Sequence, residues 1–360
     1  MNSYSVRASK PPKGRGAVVS PDGRFESRQR EALDDGWWQE VDEAGPATEV
    51  IADTARTVIV YNTSPDIPYD RSINPYRGCE HGCAYCFARP SHAYLGLSPG
   101  LDFETRIACK FDAAACLVRE LAHPAYRPAP LALGINTDAW QPVERRLRVT
   151  RGVLEVLHAT HHPLSIVTKS ALILRDIDLL ADMARLGLVH VAVSITTLDA
   201  ELARTLEPRA PTPARRLQVI AALAGAGIPV AVMLAPLIPA LTDHELEAIF
   251  AAAAAAGASS AGTILLRLPH QVKPLFEAWL QAHRPGRAAH VYSLMRQLHG
   301  GKEYDSRFGQ RQRGSGPLAE LIAQRVRAAR RRLGLDRPSL PLDVGRFVPP
   351  PRDAAQRTLF

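Results

Sequence analysis

The sequence predicts a partial (β/α)6 barrel of the α/β class, preceded by a flexible arm and followed by a helical extension. From about residue 58, short apolar runs alternate with helix-like stretches. Runs that are apolar throughout are typical of buried parallel strands. Five or six strand–helix units in about 210 residues suit a barrel better than a short doubly wound sheet. With 46% hydrophobic and 22% charged residues, collagen-like, coiled-coil and wholly disordered classes are excluded.

The expected strands are the apolar or β-branched runs at 57–61, 131–135, 164–168, 189–195, 228–235 and 262–267. Helix-like stretches separate them at 112–122, 147–160, 173–186, 211–226 and 243–256. Asp199 suits a helix start, and Gly187 and Gly227 suit helix ends. In a barrel of this kind, the residues just after each strand face the active site.

Regions outside the barrel differ in composition. The N-terminal region is rich in Gly, Pro, Arg, Ser and Glu and lacks periodicity, so we expect a flexible basic arm that docks through Trp37 and Trp38. The expected divisions are the arm over 1–57, the barrel over 58–270, a helical extension over 271–335 and a Pro-rich tail over 336–360.

The net charge of +8 comes from the two ends of the chain. Residues 1–30 hold seven basic and two acidic side chains, and residues 302–337 hold ten basic and four acidic ones. This distribution fits an electrostatic arm for nucleic acid, and it fits a solvated surface equally well. The sequence shows neither a secretory signal nor a convincing membrane span, which indicates a cytoplasmic protein without a membrane partner.

The strongest local signal is R-G-C-E-H-G-C-A-Y-C-F at 77–87, a C-x3-C-x2-C pattern. Its cysteines are Cys79, Cys83 and Cys86. Three thiolates on one loop suit a [4Fe-4S] cluster and leave one iron open to a chelating cofactor. The alternative is a zinc site that adds His81 or His92 to the cysteines.

This pattern, with the aromatic Tyr85 before the last cysteine, resembles the signature of radical S-adenosylmethionine (SAM) enzymes. Further segments are similar to the spore photoproduct lyase-like branch, which is also described as related to DNA repair photolyases. They lie at 136–144, 166–170, 191–197, 206–209 and 232–239. The segments 86–96 and 301–312 resemble an uncharacterised bacterial subgroup of that branch.

The resemblance covers roughly residues 70–240 and implies a radical SAM enzyme. Such an enzyme binds a [4Fe-4S] cluster and SAM, and generates a 5′-deoxyadenosyl radical that abstracts a hydrogen atom from the substrate. It also implies a reductant such as flavodoxin or ferredoxin.

The resemblance further implies a set of SAM-binding residues. The lysine that matches Lys169 contacts SAM in spore photoproduct lyase-like enzymes, and Tyr85 would contact the adenine. The implied set is Tyr85, Asn136, Lys169, Ser194 and Ala235. The alternative for Lys169 is a surface lysine, and the alternative for Ser194 is a small buried residue bonded to backbone.

Candidate catalytic residues lie in the segments after two of the strands. They are Asp138, Glu144, Glu207 and Arg209. These side chains would line the substrate pocket or orient SAM, since an arginine can fork onto a carboxylate or phosphate. Structural ion pairing explains them nearly as well.

The resemblance breaks at two positions. Spore photoproduct lyase uses a cysteine near the end of its second strand as hydrogen donor, and a tyrosine just after its last cluster cysteine. Here residues 131–138 contain no cysteine, and Phe87 stands in place of that tyrosine. The lyase reaction is therefore not transferred to this chain, and Cys109 or Cys116 would have to replace the missing donor.

The resemblance and the basic end segments favour a nucleic acid substrate, for repair or modification. One alternative is radical modification of a protein, peptide or small metabolite. Another is a non-catalytic iron–sulfur or zinc module. Lys169 and Ser194 argue against the module, because a module needs no SAM pocket.

Overall fold

The computed structural model describes residues 13–25, 46–337 and 341–351. Its strands are short and lie mainly before residue 266. They are β1 (Glu49–Ala52), β2 (Ile59–Tyr61), β3 (Arg71–Ile73), β4 (Tyr76–Arg77), β5 (Arg106–Cys109), β6 (Leu131–Leu133), β7 (Leu164–Thr168), β8 (Val189–Ser194), β9 (Val230–Leu237) and β10 (Ser260–Leu265).

Helices connect the strands and form the C-terminal region. They are α1 (Leu101–Thr105), α2 (Ala113–Leu121), α3 (Glu144–Leu147), α4 (Val149–Ala159), α5 (Ile177–Arg185), α6 (Ala200–Leu206), α7 (Pro213–Gly225), α8 (Leu246–Ala255), α9 (Val272–His283), α10 (Pro285–Leu298) and α11 (Pro317–Leu333). Short 3-10 helices lie at Arg89–Leu95, Ala171–Asp176, Asp243–Glu245 and Val344–Arg346.

The larger sheet has seven strands in the order β10-β9-β8-β7-β6-β3-β2. Every neighbouring pair is parallel except β2 with β3. Six parallel strands with helical connections confirm the predicted partial (β/α)6 barrel. The run predicted at 57–61 is its antiparallel edge strand, whereas the first parallel strand, β3, has only three residues and shows no apolar pattern in the sequence.

The strands form where the sequence places apolar side chains on the core face. In β8, Val189, Val191 and Val193 are each 1% exposed, while the side chains between them are only partly buried. The Asp199 carboxylate accepts hydrogen bonds from the first amides of α6, which is worth about 1 kcal/mol. Gly187 and Gly227, as expected, follow helices with positive φ angles of 70° and 76°.

A second, three-stranded sheet in the order β1-β5-β4 presents the cysteines. Strand β4 ends at Arg77, and the chain continues directly into the cysteine loop, which we define as residues 78–88. Pairing of β4 with β5 therefore determines where this loop begins. The loop packs on α9 and α10 through a core cluster that includes Cys83, Ala84 and Tyr85.

The expectation of a flexible arm over 1–57 is wrong for the part of this region that the structure describes. Residues 13–25 form a packed N-terminal segment in which Arg15 is 8% and Ala17 2% exposed. A Cβ atom at Gly16 would lie 1.7 Å from the Gly82 carbonyl oxygen, so this segment rests on the cysteine loop. Strand β1 also lies within 1–57. Trp37 and Trp38 lie outside the described residues.

Residues 301–313, which we call the strap, bridge the two edges of the larger sheet. The Leu265 amide at the end of β10 donates to the Gln312 carbonyl at 2.9 Å. On the other side, the Gly309 amide and the Arg311 guanidinium donate to the Asp66 carboxylate, each at 2.6 Å. The strap thus covers the side on which the partial barrel is open.

The basic residues near the C-terminus divide between two ends of the barrel. The strap lies at the carboxyl end of β10, whereas Asp336 pairs with Ser260, the first residue of that strand. The arginines at the end of α11 therefore lie far from the cysteine loop. In the tail, the Val348 amide donates to the Thr160 carbonyl at 2.9 Å. Among the described helices, none has the length and apolar character that a membrane span requires.

Candidate functional site

The cysteine loop is held from both sides by backbone hydrogen bonds. The Cys79 amide donates to the Phe103 carbonyl at 2.8 Å, and the Ala84 amide donates to the Leu206 carbonyl at 3.0 Å. Its cysteines are free thiols, and Cys86 is less buried than Cys79 and Cys83. The loop therefore carries three available sulfur atoms in a conformation that other elements impose.

Gln141 holds the start of the loop. Its side-chain oxygen accepts from the Glu80 amide at 2.8 Å, and its side-chain nitrogen donates to the Gly78 carbonyl at 3.1 Å. Gln141 is fully buried, so both bonds form away from water. The N-T-D-A-W-Q-P-V-E segment thus positions the loop.

A buried ion pair holds the middle of the loop. Arg89, fully buried, donates to the Gly82 carbonyl at 3.2 Å and to the Cys83 carbonyl at 3.0 Å. It pairs with Glu104 at 2.5 Å, and Glu104 also accepts from the Gly16 and Ala17 amides at 3.0 and 2.8 Å. Neither Arg89 nor Glu104 stands out in the sequence, because an arginine and a glutamate 15 positions apart give no local signal.

Four of the five expected SAM-binding residues lie together beside the loop. The Lys169 ammonium, at the end of β7, donates to Ser194 Oγ at 2.8 Å and to the Ala235 carbonyl at 3.4 Å. Ser194 Oγ donates to the same carbonyl at 3.0 Å. The Lys169 nitrogen lies 5.8 Å from the centre of the Tyr85 ring. Three strand ends and the cysteine loop therefore converge on one ammonium group.

Glu207 forms the centre of a buried charged network behind these residues. Its carboxylate accepts from the Tyr85 hydroxyl, from Thr196 Oγ1 at 2.7 Å and from the Arg216 guanidinium, and lies 3.9 Å from the Lys169 nitrogen. Burial by itself would raise the pKa of Glu207, but Arg216 and Lys169 lower it to about 2. Glu207 is thus an ionised carboxylate that positions Tyr85 and Lys169.

Asp138 connects the turn after β6 to the end of β7. Its carboxylate accepts from Thr168 Oγ1 at 2.8 Å, from the Lys169 amide at 2.8 Å and from the Trp140 amide at 2.9 Å. His81 Nδ1 lies 3.5 Å from the same carboxylate. Asp138 therefore lies between the cysteine loop and Lys169, where it supports both.

Asn136 and Glu144 lie apart from the group around Lys169. The Asn136 amide donates to the Asn74 side chain at 3.1 Å, and its own side chain makes no hydrogen bond to the other four expected SAM-binding residues. Glu144 is fully buried, where it accepts from the Tyr76 hydroxyl and pairs with Arg175 at 2.7 Å. The carboxylate of Glu144 is thus enclosed in a structural network, and its predicted catalytic role stays a prediction.

Arg209 lies at the edge of the cysteine loop and is one-third exposed. It pairs with Glu80 at 3.1 Å and donates to Thr48 Oγ1 at 3.3 Å. Cys109 and Cys116 are both buried in the main core cluster, and neither contacts the group around Lys169. The replacement of the missing hydrogen donor by Cys109 or Cys116 stays a prediction.

The donor set of the cysteine loop fits an iron–sulfur cluster. Burial raises the pKa of the Cys83 thiol to about 12, so its thiolate requires a nearby positive charge such as iron. In such a cluster each cysteine binds a separate iron. Across the described ranges, no three His, Cys, Asp or Glu side chains meet closely enough to hold one metal ion.

Known proteins resemble this chain in sequence and in fold. A family model described as the radical SAM superfamily matches residues 73–253. An uncharacterized protein of Mycobacterium tuberculosis is 41% identical over 232 residues, which cover 64% of this chain and 68% of that protein. An uncharacterized protein of Methanocaldococcus jannaschii is 27% identical over 173 residues, 48% of this chain and 62% of that protein.

Solved structures show the same fold. A spore photoproduct lyase complexed with dinucleoside spore photoproduct superimposes with a TM-score of 0.55 at 18% identity, covering 79% of both chains. A mutant of spore photoproduct lyase gives a TM-score of 0.56 at 19% identity over 79% of this chain and 80% of that one.

Proposed function

The chain belongs to the radical SAM superfamily, and we propose that it directs a 5′-deoxyadenosyl radical at a nucleic acid, for repair or modification. The superfamily implies a [4Fe-4S] cluster, SAM and a source of electrons. When bound, these groups supply the radical that abstracts a hydrogen atom from the substrate. Because this superfamily consists of enzymes, the alternative of a non-catalytic iron–sulfur or zinc module no longer stands.

Cys79, Cys83 and Cys86 are the residues we assign to the cluster, and flavodoxin or ferredoxin is the class of reductant we assign. The assignment of SAM rests on one observation, the convergence of Lys169, Ser194 and the Ala235 carbonyl beside the cysteine loop. The Lys169 ammonium is suited to a carboxylate or ribose hydroxyl.

The task of the protein around the radical is to orient the reactants and to exclude water. The Glu207–Arg216 pair is 1% exposed on both side chains, so these two charges are held away from water. Glu207 holds Lys169 and Tyr85 in place before the cofactor arrives. Such preorganisation means that little reorganisation is needed when the cofactor binds.

Two features support a nucleic acid as substrate. The first is the shared fold with a spore photoproduct lyase that was solved with a dinucleoside photoproduct. The second is the strap, which brings the exposed Lys302 and Arg313 to the carboxyl end of the barrel, while its other two basic residues, Arg307 and Arg311, pair with Asp305 and Asp66. Basic side chains around a site provide the electrostatic attraction that nucleic acids need.

The N-terminal charges contribute less to this attraction than the sequence suggests. Arg15 is buried, donating to the Glu104 carbonyl at 2.9 Å and to the Pro46 carbonyl at 2.5 Å. Its charge is therefore used inside the protein. The residues before Lys13 lie outside the described part of the chain.

The test is an anaerobic assay of the reconstituted protein with dithionite and SAM, measuring 5′-deoxyadenosine. We expect product without substrate, and more product, with a modified strand, when the preferred DNA or RNA is added. Stimulation by peptides or small metabolites, with none by DNA or RNA, would replace nucleic acid with the other substrate classes. Zinc in place of iron in the purified protein would overturn the cluster assignment itself.

A further inference from the structure

Arg267 lies at the carboxyl end of β10, next to the cysteine loop. Its guanidinium carbon is 4.7 Å from the centre of the Phe87 ring, and Phe87 directly follows Cys86. The adjacent Leu266 and Leu268 pack in the same core cluster as Cys83 and Tyr85. Phe87 is 40% exposed, so this arginine–aromatic pair is at once close to the cluster ligands and open to solvent.

Arg267 has no ion-pair partner among the described residues, and its Nε is buried without a hydrogen-bond acceptor there. The charge of Arg267 acts on Asp66, but that carboxylate is already bonded to the Gly309 amide and to Arg311. By contrast, the buried Arg89 and Arg216 have carboxylate partners. A partly buried guanidinium that lacks an acceptor is costly unless a ligand supplies one.

Unpaired buried polar atoms are frequent in the stretch of chain that begins with Arg267. Within the described residues, eight buried side-chain atoms lack a hydrogen-bond partner, and five of them belong to Arg267, Gln271, Tyr292 and His299. Of these, Arg267 Nε is the atom that lies beside the cysteine loop, through its contact with Phe87.

We propose that Arg267, held in place by the Phe87 ring, anchors the substrate by binding a backbone phosphate of the nucleic acid. The inference rests on the proposed function. It adds a contact that would place the nucleic acid strand beside the cluster. A guanidinium offers two parallel N–H donors, which match the oxygens of a phosphate. Its stacking on Phe87 limits its orientations without occupying those donors.

The position of Phe87 gives this contact a further meaning. Phe87 stands where the resemblance leads one to expect a tyrosine, and a phenylalanine has no hydroxyl to donate. Its ring instead supports Arg267. We therefore assign to this position the placement of an anionic group and not the transfer of a hydrogen atom.

The experiment measures binding of a fluorescein-labelled dT6 oligonucleotide to the reconstituted enzyme with SAM, anaerobically and without reductant. For Arg267→Gln we expect about tenfold weaker binding, the scale of a lost charged hydrogen bond. The slope of log affinity against log salt should fall by about one. Iron content and thermal midpoint establish that the variant is folded.

Arg331→Gln is the matched control, because Arg331 is an exposed arginine of α11 at the other end of the barrel. It removes the same charge and should leave dT6 affinity within about twofold, since a distant charge is screened. Arg267→Lys should recover only part of the affinity, because an ammonium lacks the planar fork.

A second probe alters the phosphates of the oligonucleotide and compares wild type with Arg267→Gln. A set of dT6 oligonucleotides is prepared, each with a single phosphate replaced by an uncharged methylphosphonate at a different position. Wild-type enzyme should lose affinity most when one particular phosphate is replaced. Replacing that same phosphate should not weaken the binding of Arg267→Gln any further, because its anchoring contact is already missing. Equal affinity of Arg267→Gln and wild type for dT6 would overturn the anchor. Failure of wild type to bind both dT6 and U6 would overturn the nucleic acid substrate as well, so the two failures are distinguishable.

Discussion

The two sides of the cysteine loop differ in how completely their polar groups are paired. On the side of Lys169, the buried charges of Glu207 and Arg216 pair with each other. On the side of β10 and α10, Arg267 and His299 have buried nitrogen atoms without partners among the described residues. The charged pair on the first side forms before any ligand binds, whereas the second side has buried nitrogen atoms that a ligand can pair.

The two sides of this rim are therefore suited to two different kinds of ligand. A cofactor that is always the same is best met by a rigid, fully bonded pocket, because reorganisation would cost binding energy each time. A substrate enters and leaves, so its contacts are necessarily open in its absence. The pairing of buried polar groups therefore separates the cofactor side from the substrate side.

The largest expected effect comes from removing a cluster ligand. Changing any one of Cys79, Cys83 or Cys86 to Ala should abolish cluster assembly, because three sulfur atoms hold the cluster and no other cysteine lies on the loop. Iron and sulfide content after anaerobic reconstitution measures this. The control is Cys116→Ala, which removes a buried core thiol and should retain iron. Normal iron and sulfide in a loop mutant would contradict the ligand assignment.

The next largest effect concerns the cofactor side, where the buried Glu207–Arg216 pair should contribute to the free energy of unfolding. Arg216→Met leaves Glu207 buried without its main partner, which should lower the free energy of unfolding by about 3–5 kcal/mol. Urea denaturation followed by circular dichroism gives the value. Arg325→Met is the control, because its pair with Glu247 is 30% and 37% exposed and should be worth about 1 kcal/mol or less. Equal losses in the two variants would show that burial does not distinguish these pairs.

Lys169→Ala should weaken SAM binding without removing the cluster. Loss of a charged hydrogen-bond donor costs about 1.5–3 kcal/mol, or roughly 10- to 100-fold in affinity. Equilibrium dialysis with SAM measures the dissociation constant, and iron content is measured in parallel. The control is Lys273→Ala, which also removes a lysine, here a half-exposed one on α9. Unchanged SAM affinity in Lys169→Ala would remove this residue from the pocket.

The smallest effect concerns the substrate side and depends on pH. Burial lowers the pKa of His299 below its ordinary value of 6.5, against a smaller opposite effect of Asp305. The folded protein therefore binds a proton at this imidazole less readily than the unfolded chain, which binds one below about pH 6.5, so His299 makes stability fall as pH decreases from there.

Urea midpoints at pH 7.5 and 5.5 test this dependence. The difference between the two midpoints should be smaller in His299→Gln than in wild type, and unchanged in His290→Gln, which alters an exposed histidine of α10. If His299→Gln keeps the full difference, then His299 is solvated and the contrast between the two sides of the rim is weaker than the hydrogen bonds indicate.

The barrel strands from β6 to β10 and the cysteine pattern could be predicted from the sequence, because the information for them is local. A buried strand needs consecutive apolar residues, and a cluster loop needs cysteines a few positions apart. The resemblance to radical SAM enzymes implied Lys169, Ser194 and Ala235 from separate segments. Parallel pairing explains why these segments meet, since it brings the ends of neighbouring strands to one rim.

Which charges stabilise the fold and which stay available to a ligand could be read only from the folded structure. Glu144 and Arg267 are both charged residues near strand ends. Glu144 is enclosed by Tyr76 and Arg175, whereas Arg267 Nε has no acceptor among the described residues. The position of the N-terminal segment is also visible only in the folded structure, because its Gly16 packs on Gly82, which lies 66 positions further along the chain. Pairing energies of buried groups depend on neighbours brought together by folding, and a linear sequence does not list those neighbours.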